Sequence, residues 1–374
     1  MGKSLLTLAR DWRRRRSVRP LSFGRPLVLL QSDDWGRVGV RDREGFEQLR
    51  AAGLALGERL YDLYTLETAE DVAALQEMLK RHRDASGRSP SMVLNFITAN
   101  LDFTAMAAAD YRRITLLPLT EGLPGAWNRP GLFDAYRHGI AGDLFFPALH
   151  GLTHFCRPAV EQSLRSAERS PVLKTLWKAE TPYIHWRMPW IGYEYWHPDS
   201  GSLPREAQEE AIGKAAETFR TLFAGPAVSA CAPGYRSSKD TCEAWSDCAV
   251  RVVQSGTGSP LPPHMDEFGL LHVSRTVDFE PALGLRPIEE YLRAATACFA
   301  RGEPFIISVH SVNFHSTLRD FRGPTLRALD ELLTALERRE PGLLYVHDGD
   351  LFNLVVTGKS ENSGGRIPVQ LVQQ

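Results

Sequence analysis

The stretch Pro26-Leu27-Val28-Leu29-Leu30-Gln31-Ser32-Asp33-Asp34-Trp35-Gly36 decides the fold of this chain. It opens with a continuous apolar run, which is typical of a strand buried on both faces of a parallel sheet. Two adjacent carboxylates follow, and burying them is costly unless they are paired, hydrated or bound to a cation. The stretch predicts a buried strand that ends in a polar site, with a helix cap or a turn as the alternative role of the aspartates.

Similar apolar runs recur along the chain, and helical patterns lie between them. The candidate strands are residues 26–31, 92–98, 144–149, 227–231, 250–254, 305–309 and 343–346. The candidate helices are residues 43–52, 69–82, 205–223, 287–300 and 324–338. Alternating strands and helices predict an α/β fold with a mainly parallel sheet, and about seven strands favour a deformed (β/α) barrel with inserted loops.

Length and composition are those of a globular protein. The 374 residues are 43% hydrophobic and 24% charged, with a net charge of −1, which gives no general affinity for nucleic acid and excludes a disordered or membrane-spanning chain. We expect one domain over residues 25–357, with insertions near 99–143 and 155–203. A basic N-terminal segment (1–24) and a C-terminal tail (358–374) flank it.

The N-terminal segment and the cysteines bear on location. The first ten residues are too short and too interrupted for the apolar core of a signal peptide, and the basic run Arg13-Arg14-Arg15-Arg16 follows. We expect this run to be solvated, with weak contact to an anionic membrane surface as the alternative. Five cysteines without a C-x-x-C pair suit reduced thiols. The sequence predicts a cytoplasmic protein without a transmembrane segment.

Two histidines after the third predicted strand have the spacing of metal ligands. In the run His150-Gly151-Leu152-Thr153-His154 the imidazoles are four residues apart, so that both can face one ion. A catalytic zinc typically takes three protein ligands, and Asp34 or Asp33 is the best-placed carboxylate. Because successive strand residues point in opposite directions, one aspartate can bind the ion while the other faces elsewhere. The alternative is a chance spacing among eleven histidines.

Four motifs in order resemble those of the polysaccharide deacetylase superfamily (carbohydrate esterase family 4). They are the Asp-Asp pair, the His-x-x-x-His pair, the turn Ala232-Pro233-Gly234-Tyr235 and the strand Ile306-Ile307-Ser308-Val309-His310, within residues 26–315. The resemblance implies a metal-dependent deacetylase in which Asp34, His150 and His154 hold a divalent ion, first of all Zn²⁺. Its substrate would be an acetylated glycan or amino sugar, with N-acetyl favoured.

The resemblance also implies roles for the other site residues. Asp33 would be the general base and His310 the general acid, and the backbone near Tyr235 would help to bind the oxyanion. Amide hydrolysis needs a Lewis acid, a deprotonated water and a proton donor, which such a site supplies. Arg236 and Trp35 are further candidates for contact with the substrate.

Two family motifs have no direct match in this chain. Cys231 stands where the family has an arginine that orients the catalytic aspartate, and Arg236 is the candidate to replace it. Asp278 is the candidate partner of His310. His315 is a second candidate acid or substrate ligand, with a hydrogen-bonded loop histidine as the alternative.

Two other functions fit the same residues. A glycoside hydrolase would use Asp33 or Asp34 with a second carboxylate such as Glu194. A glycan-binding protein without activity would keep the pocket and lack the family's arginine. An aromatic cluster within residues 183–196 can stack on sugar rings or anchor a long loop.

Overall fold

A mainly parallel sheet runs through the structure, a computed structural model that describes residues 18–258, 260–359 and 366–372. The strands are β1 (Leu21–Phe23), β2 (Leu27–Trp35), β3 (Met92–Phe96), β4 (Ala99–Leu101), β5 (Leu116–Pro118), β6 (Phe145–Leu149), β7 (Trp196–His197), β8 (Gly201–Ser202), β9 (Ser229–Cys231), β10 (Val252–Ser255), β11 (His264–Met265), β12 (Leu271–Ser274), β13 (Val277–Asp278), β14 (Phe305–His310), β15 (Leu344–Tyr345) and β16 (Val369–Leu371). The basic run at residues 13–16 lies outside the described residues.

Helices cover the sheet. They are α1 (Arg43–Ala51), α2 (Ala69–Leu79), α3 (Phe103–Ala108), α4 (Leu132–Ala141), α5 (Arg157–Ser163), α6 (Arg169–Lys178), α7 (Arg205–Phe223), α8 (Lys239–Asp247), α9 (Ile288–Ala300), α10 (Arg322–Arg339) and α11 (Asp348–Thr357). The five predicted helices correspond to α1, α2, α7, α9 and α10. The helices α3 to α6 lie in the two stretches that the sequence marked as insertions, and none of the four was predicted.

The strand order of the central sheet is β11-β12-β10-β9-β6-β3-β2-β14-β13, and β15 also pairs with β2. Every neighbouring pair in it is parallel except β11 with β12. The predicted α/β class with a mainly parallel sheet is therefore confirmed, and all seven predicted strands are present. The short strands β11, β12 and β13 were not predicted.

The sheet curves into a barrel that no ladder of strand pairs closes within the described residues. β12 and β13 lie near opposite ends of the strand order, yet only Arg275 and Thr276 separate them in sequence. The backbone N–H of Arg275 donates to Ser255 of β10 at 2.9 Å, and that of Thr276 donates to Ile306 of β14 at 2.8 Å. Arg275 and Thr276 therefore carry the chain across the opening between the two ends of the sheet, and the side chain of Arg275 is fully buried there.

One side of β2 changes from apolar to polar along its length. Leu27 and Leu29 belong to an apolar cluster with side chains from β10, β12, β14 and α11. Gln31 and Asp33 follow on the same side, since alternate strand residues share a face. The Gln31 amide donates to Asp348 at 2.7 Å, and Asp33 pairs with Arg275. The polar groups thus gather toward the carboxyl ends of the strands.

The two ends of the described chain pair with each other. β1 and β16 form an antiparallel ribbon, and Leu21 and Phe23 are buried in the same apolar cluster as Leu27. The expected domain boundaries at residues 25 and 357 stay a prediction. Among the described helices, none has the length and apolar character that a membrane span requires.

Candidate metal centre and active site

The end of β2 departs from regular strand geometry at the two aspartates. The pairing of β2 with β3 shifts register between Ser32 and Trp35, and Asp34 has a φ of 75°. A residue other than glycine in this region costs on the order of 1–3 kcal/mol and commonly marks a functional site. Regular alternation would send Asp33 and Asp34 to opposite sides. With this bulge, both carboxylates lie beside His150.

Asp34, His150 and His154 lie together, as their sequence motifs imply. The Oδ1 atom of Asp34 is 3.7 Å from Nε2 of His150 and 3.3 Å from Nε2 of His154. All three side chains are buried, and this Oδ1 has no hydrogen-bond partner among the described residues. A buried carboxylate oxygen without a partner is costly. An ion held by these three atoms would satisfy it, so the residues fit a divalent metal.

The surroundings of the two imidazoles suit metal binding. Nδ1 of His150 lies 2.9 Å from the carbonyl oxygen of Cys231, and an N–H donated there leaves the lone pair of Nε2 toward Asp34. Burial holds the pKa of His154 well below its ordinary value, against the opposing effect of Asp34. A neutral imidazole is the ligating form.

Glu194 holds the loop between the two histidines. Its Oε1 accepts the backbone N–H of Leu152 at 3.0 Å and that of Thr153 at 2.7 Å. Gly151 has a φ of 102°, and a Cβ there would lie 2.1 Å from Oε2 of Glu194. Burial raises the pKa of Glu194 to about 7. A carboxylate in these contacts is occupied with loop structure, which leaves the glycoside hydrolase alternative without that second carboxylate.

The second oxygen of Asp34 is bound by Arg37, a residue that the sequence reasoning did not consider. Nη2 of Arg37 donates to Oδ2 of Asp34 at 3.2 Å, Nη1 donates to the Tyr183 hydroxyl, and the guanidinium lies 3.9 Å from the ring centroid of Tyr64. Arg37 therefore fixes one oxygen of Asp34 and leaves the other directed at His150 and His154.

Asp33 forms a two-point ion pair with Arg275. Nη1 donates to Oδ2 at 2.6 Å and Nη2 to Oδ1 at 2.5 Å, and the Asn95 amide also donates to Oδ1 at 2.8 Å. Burial alone would raise the pKa of Asp33, but the charge of Arg275 holds it well below its ordinary value. Asp33 is thus an anion with a fixed orientation. No motif indicated Arg275, because it lies on the unpredicted crossing between β12 and β13.

The expectation that Arg236 replaces the family's arginine is wrong. Its guanidinium lies 5.4 Å from the ring centroid of Trp196. Cys231, at the family's arginine position, is a small buried residue whose Sγ is 4.0 Å from Oδ2 of Asp33 and 3.7 Å from Nη2 of Arg275. In this chain the arginine at the carboxylate of Asp33 is Arg275, which follows the end of β12 and not the end of β9.

Tyr235 contributes its side chain to the site. Its hydroxyl donates to Oδ2 of Asp33 at 3.2 Å and accepts a hydrogen bond from Nη1 of Arg275 at 2.8 Å. Its backbone N–H donates to the carbonyl of Ala232 at 2.8 Å, and that of Arg236 donates to Pro233 at 3.3 Å. Both N–H groups are engaged in the turn, which corrects the expectation that the backbone around Tyr235 offers them to an oxyanion.

His310 pairs with Glu280 and not with Asp278. Its Nδ1 lies 2.6 Å from Oε1 of Glu280, and its Nε2 lies 3.9 Å from Oδ2 of Asp33. Burial would lower the pKa of His310, but Glu280 raises it to about 9. Asp278 instead accepts a hydrogen bond from Thr257 at 2.8 Å. His310 therefore carries a proton at neutral pH, beside the two aspartates.

Two predicted substrate contacts are buried away from any opening. Trp35 is fully buried, with its indole N–H donating to Ser32 at 2.8 Å and its ring stacked on Phe314. His315 is also buried, and its Nε2 lies 3.3 Å from Glu67. Neither residue is in a position to touch a substrate, so the assignment of Trp35 is corrected, and for His315 the contacts fit the alternative of a hydrogen-bonded loop histidine.

An open pocket of about 470 Å³ lies beside His310, within the size range of small-ligand sites. Its lining includes Tyr61, Trp186, Tyr235, Glu280 and Arg286. Trp186 is half exposed, has a φ of 68° and packs edge-on against Tyr61 at 4.8 Å. Of the aromatic cluster within residues 183–196, Trp186 is the member that lines this pocket.

The chain is similar to known structures, although no protein-family model and no curated protein matches it. A 4-alpha-glucanotransferase from Thermococcus litoralis has a TM-score of 0.48 and 10% identity over 90% of this chain and 41% of its own. PuuE allantoinase has a TM-score of 0.46 and 12% identity over 89% and 92% of the two chains. A family 4 carbohydrate esterase from Streptomyces lividans, in complex with acetate, has a TM-score of 0.35 and 11% identity over 86% and 92%.

These similarities are too distant to choose a reaction, and the three names describe different activities. The choice rests on the residues of this chain. Family 4 carbohydrate esterases are among the solved structures to which this chain is similar.

Proposed function

We propose that this protein is a metal-dependent hydrolase that removes an acetyl group, N-acetyl by preference, from an amino sugar or glycan. The observation that carries the proposal is the unpartnered Oδ1 of Asp34 between the imidazoles of His150 and His154. A second carboxylate, Asp33, and a protonated imidazole, His310, lie directly beside this set. Amide hydrolysis needs these groups together.

The donor set favours zinc. Two neutral imidazoles and one carboxylate oxygen are ligands that suit Zn²⁺ and leave a position for a non-protein ligand. When bound, the ion supplies Lewis-acid polarisation of the acyl oxygen. Arg37 would keep Asp34 a monodentate ligand through Oδ1, because the hydrogen bond from Arg37 occupies Oδ2 of Asp34.

Asp33 and His310 would handle the protons. Asp33 would accept a proton from the attacking water at Oδ2, the oxygen nearer to His310. Its two oxygens already accept four hydrogen bonds, two from Arg275 and one each from Asn95 and Tyr235, which is about the capacity of a carboxylate. A water gains Oδ2 when the Tyr235 hydroxyl withdraws. His310, protonated through its contact with Glu280, would then give its Nε2 proton to the leaving amine.

Arg275 weakens the alternative that the protein binds glycans without catalysing a reaction. That alternative depended on the absence of the arginine that the family's third motif places near the catalytic aspartate. Arg275 makes a two-point contact with Asp33, so an arginine is present at the carboxylate that needs it. A functional general base is therefore the better account of Asp33.

Acetate release from acetylated amino sugars and chito-oligosaccharides, measured with metal content, tests the proposal. We expect zinc-loaded protein to release acetate without new reducing ends. Asp33→Asn should abolish release and keep the metal, whereas His150→Ala should lose both. Protein that holds no stoichiometric metal, and from which no added divalent ion elicits acetate, would contradict the proposal.

A further inference from the structure

A second cluster of metal-ligand side chains lies on the β11–β12 hairpin, outside the site described above. Cys242 comes from α8, Asp266 from the hairpin turn and His272 from β12. One ligand atom from each lies within 4.8 Å of the other two. Nε2 of His272 is 2.8 Å from Oδ2 of Asp266. Three ligand types from three separate segments thus converge on one point.

The carboxylate of this cluster is held in place by its own turn. Oδ1 of Asp266 accepts the backbone N–H groups of Phe268 and Leu270, each at 2.9 Å. These two bonds fix the carboxylate and direct Oδ2 toward His272. The imidazole of His272 is in turn stacked on the ring of His264 at 5.0 Å and 13°. Two of the three ligand groups are therefore oriented before any ion arrives.

Burial suits an ion that enters from solvent and is then partly enclosed. The side chains of His272 and Asp266 are 20% and 18% exposed, whereas Cys242 is buried. An ion would therefore reach the cluster from the side of His272 and Asp266, with the sulfur of Cys242 on the buried side.

We propose that Cys242, Asp266 and His272 form a second metal site, which binds zinc or a similar borderline divalent cation. A thiolate, an imidazole and a carboxylate are together a set that zinc accepts and magnesium does not. Ligand atoms at tetrahedral positions around zinc lie roughly 3.3–3.6 Å apart. The Asp266–His272 contact, at 2.8 Å, would open slightly to reach that geometry, and the Cys242 sulfur already lies within 4.8 Å of both ligand atoms.

An ion at this site would cross-link two elements at the edge of the barrel, α8 and the β11–β12 hairpin. His272 lies in β12, and Arg275 follows three residues later, directly after the end of that strand. An ion at this point would stiffen the segment that carries Arg275 to Asp33. The role is structural, so the site does not depend on the reaction proposed for the barrel centre.

Cobalt titration of the metal-stripped full-length protein tests the site, because a thiolate bound to Co²⁺ gives a near-ultraviolet charge-transfer band. We expect two bound equivalents of Co²⁺ and one such band. Cys242→Ser should lose the band and one equivalent. His272→Gln should lose the same equivalent, which guards against misfolding of one variant.

Cys248→Ser is the matched control, since Cys248 follows the same helix but is not part of the cluster. The band should survive in Cys248→Ser and in His150→Ala, which removes only the other equivalent. A wild type without the thiolate band, or a band that persists in Cys242→Ser, would overturn the proposal, whereas a single equivalent that keeps the band would count against the barrel-centre site alone. A band lost in Cys231→Ser but kept in Cys242→Ser would also overturn it, because Cys231 lies beside Asp33 and His150.

Discussion

Asp33 and Asp34 are adjacent in sequence and buried to the same degree, yet their surroundings are opposite. Asp33 accepts four hydrogen bonds and faces a guanidinium, so each of its lone pairs has a donor. Asp34 has one oxygen bound by Arg37 and one oxygen that meets only imidazole nitrogens. A carboxylate whose lone pairs are all occupied thus serves as an anion of fixed orientation, whereas a carboxylate with an unoccupied oxygen can bind a cation.

The largest effect is expected where the cation is lost. Asp34→Asn or His154→Ala removes a ligand, and loss of the Lewis acid should lower kcat/KM by at least about 10³-fold, because metal polarisation contributes several kcal/mol. Metal analysis of each purified variant checks the cause. Wild-type activity in a variant without bound metal at the barrel centre would contradict the account.

The second-largest effect is expected at Arg275, the ion-pair partner of Asp33. Arg275→Met leaves a buried carboxylate without its counter-charge, which should cost about 3–5 kcal/mol in the free energy of unfolding and abolish most activity. Denaturant unfolding and acetate release measure the two effects. Arg236→Met is the control and should change the free energy of unfolding little, because that guanidinium only lies over Trp196. Equal losses in both variants would remove the special role of Arg275.

A smaller effect concerns the proton of His310. With a pKa raised to about 9, His310 is protonated below that pH and loses its proton above it, so activity should fall as pH rises through about 9. Glu280→Gln removes the main cause of the raised pKa and should move this alkaline limb roughly one to two units lower. The pH profile of kcat/KM is the measurement.

Asp278→Asn provides the comparison for Glu280. Asp278 bonds to Thr257 and not to His310, so its alkaline limb should stay where it is in the wild type. A shift in Asp278→Asn without one in Glu280→Gln would restore Asp278 as the partner.

The smallest effect is expected at Tyr235. Tyr235→Phe removes one hydrogen bond to the buried carboxylate of Asp33, which should lower the free energy of unfolding by about 0.5–1.5 kcal/mol. Denaturant unfolding measures this change, and a free energy of unfolding equal to that of the wild type would indicate that the hydroxyl does not stabilise Asp33.

The sequence predicted the parts of the fold that local pattern determines. Among the predicted strands, β2 and β14 are buried at nearly every position, and each contains an unbroken apolar run. β12 alternates buried and half-buried residues over only four positions, and β13 has two residues, so neither gave a signal. Histidine spacing and strand ends indicated His150, His154 and one of the two aspartates, and the family resemblance implied that this aspartate is Asp34.

What the sequence missed depends on distant contacts and on backbone irregularity. Arg275 and Asp33 are 242 residues apart, and nothing near either residue indicates the other. Glu280 lies two residues after Asp278, the predicted partner of His310. A strand pattern in the sequence does not show which of two such close carboxylates contacts the histidine. The bulge at Asp34, which places both carboxylates beside His150, contradicts the regular alternation on which the sequence argument relied.

The different roles of Asp33 and Asp34 can be measured as the metal content of Asp33→Asn and Asp34→Asn, compared in a Cys242→Ser background. The background removes the second cluster, so that only the barrel centre is measured. We expect one equivalent of zinc in Asp33→Asn and none in Asp34→Asn, because only Asp34 has an oxygen free for an ion. Equal metal content in the two proteins, or its loss from Asp33→Asn alone, would contradict this expectation.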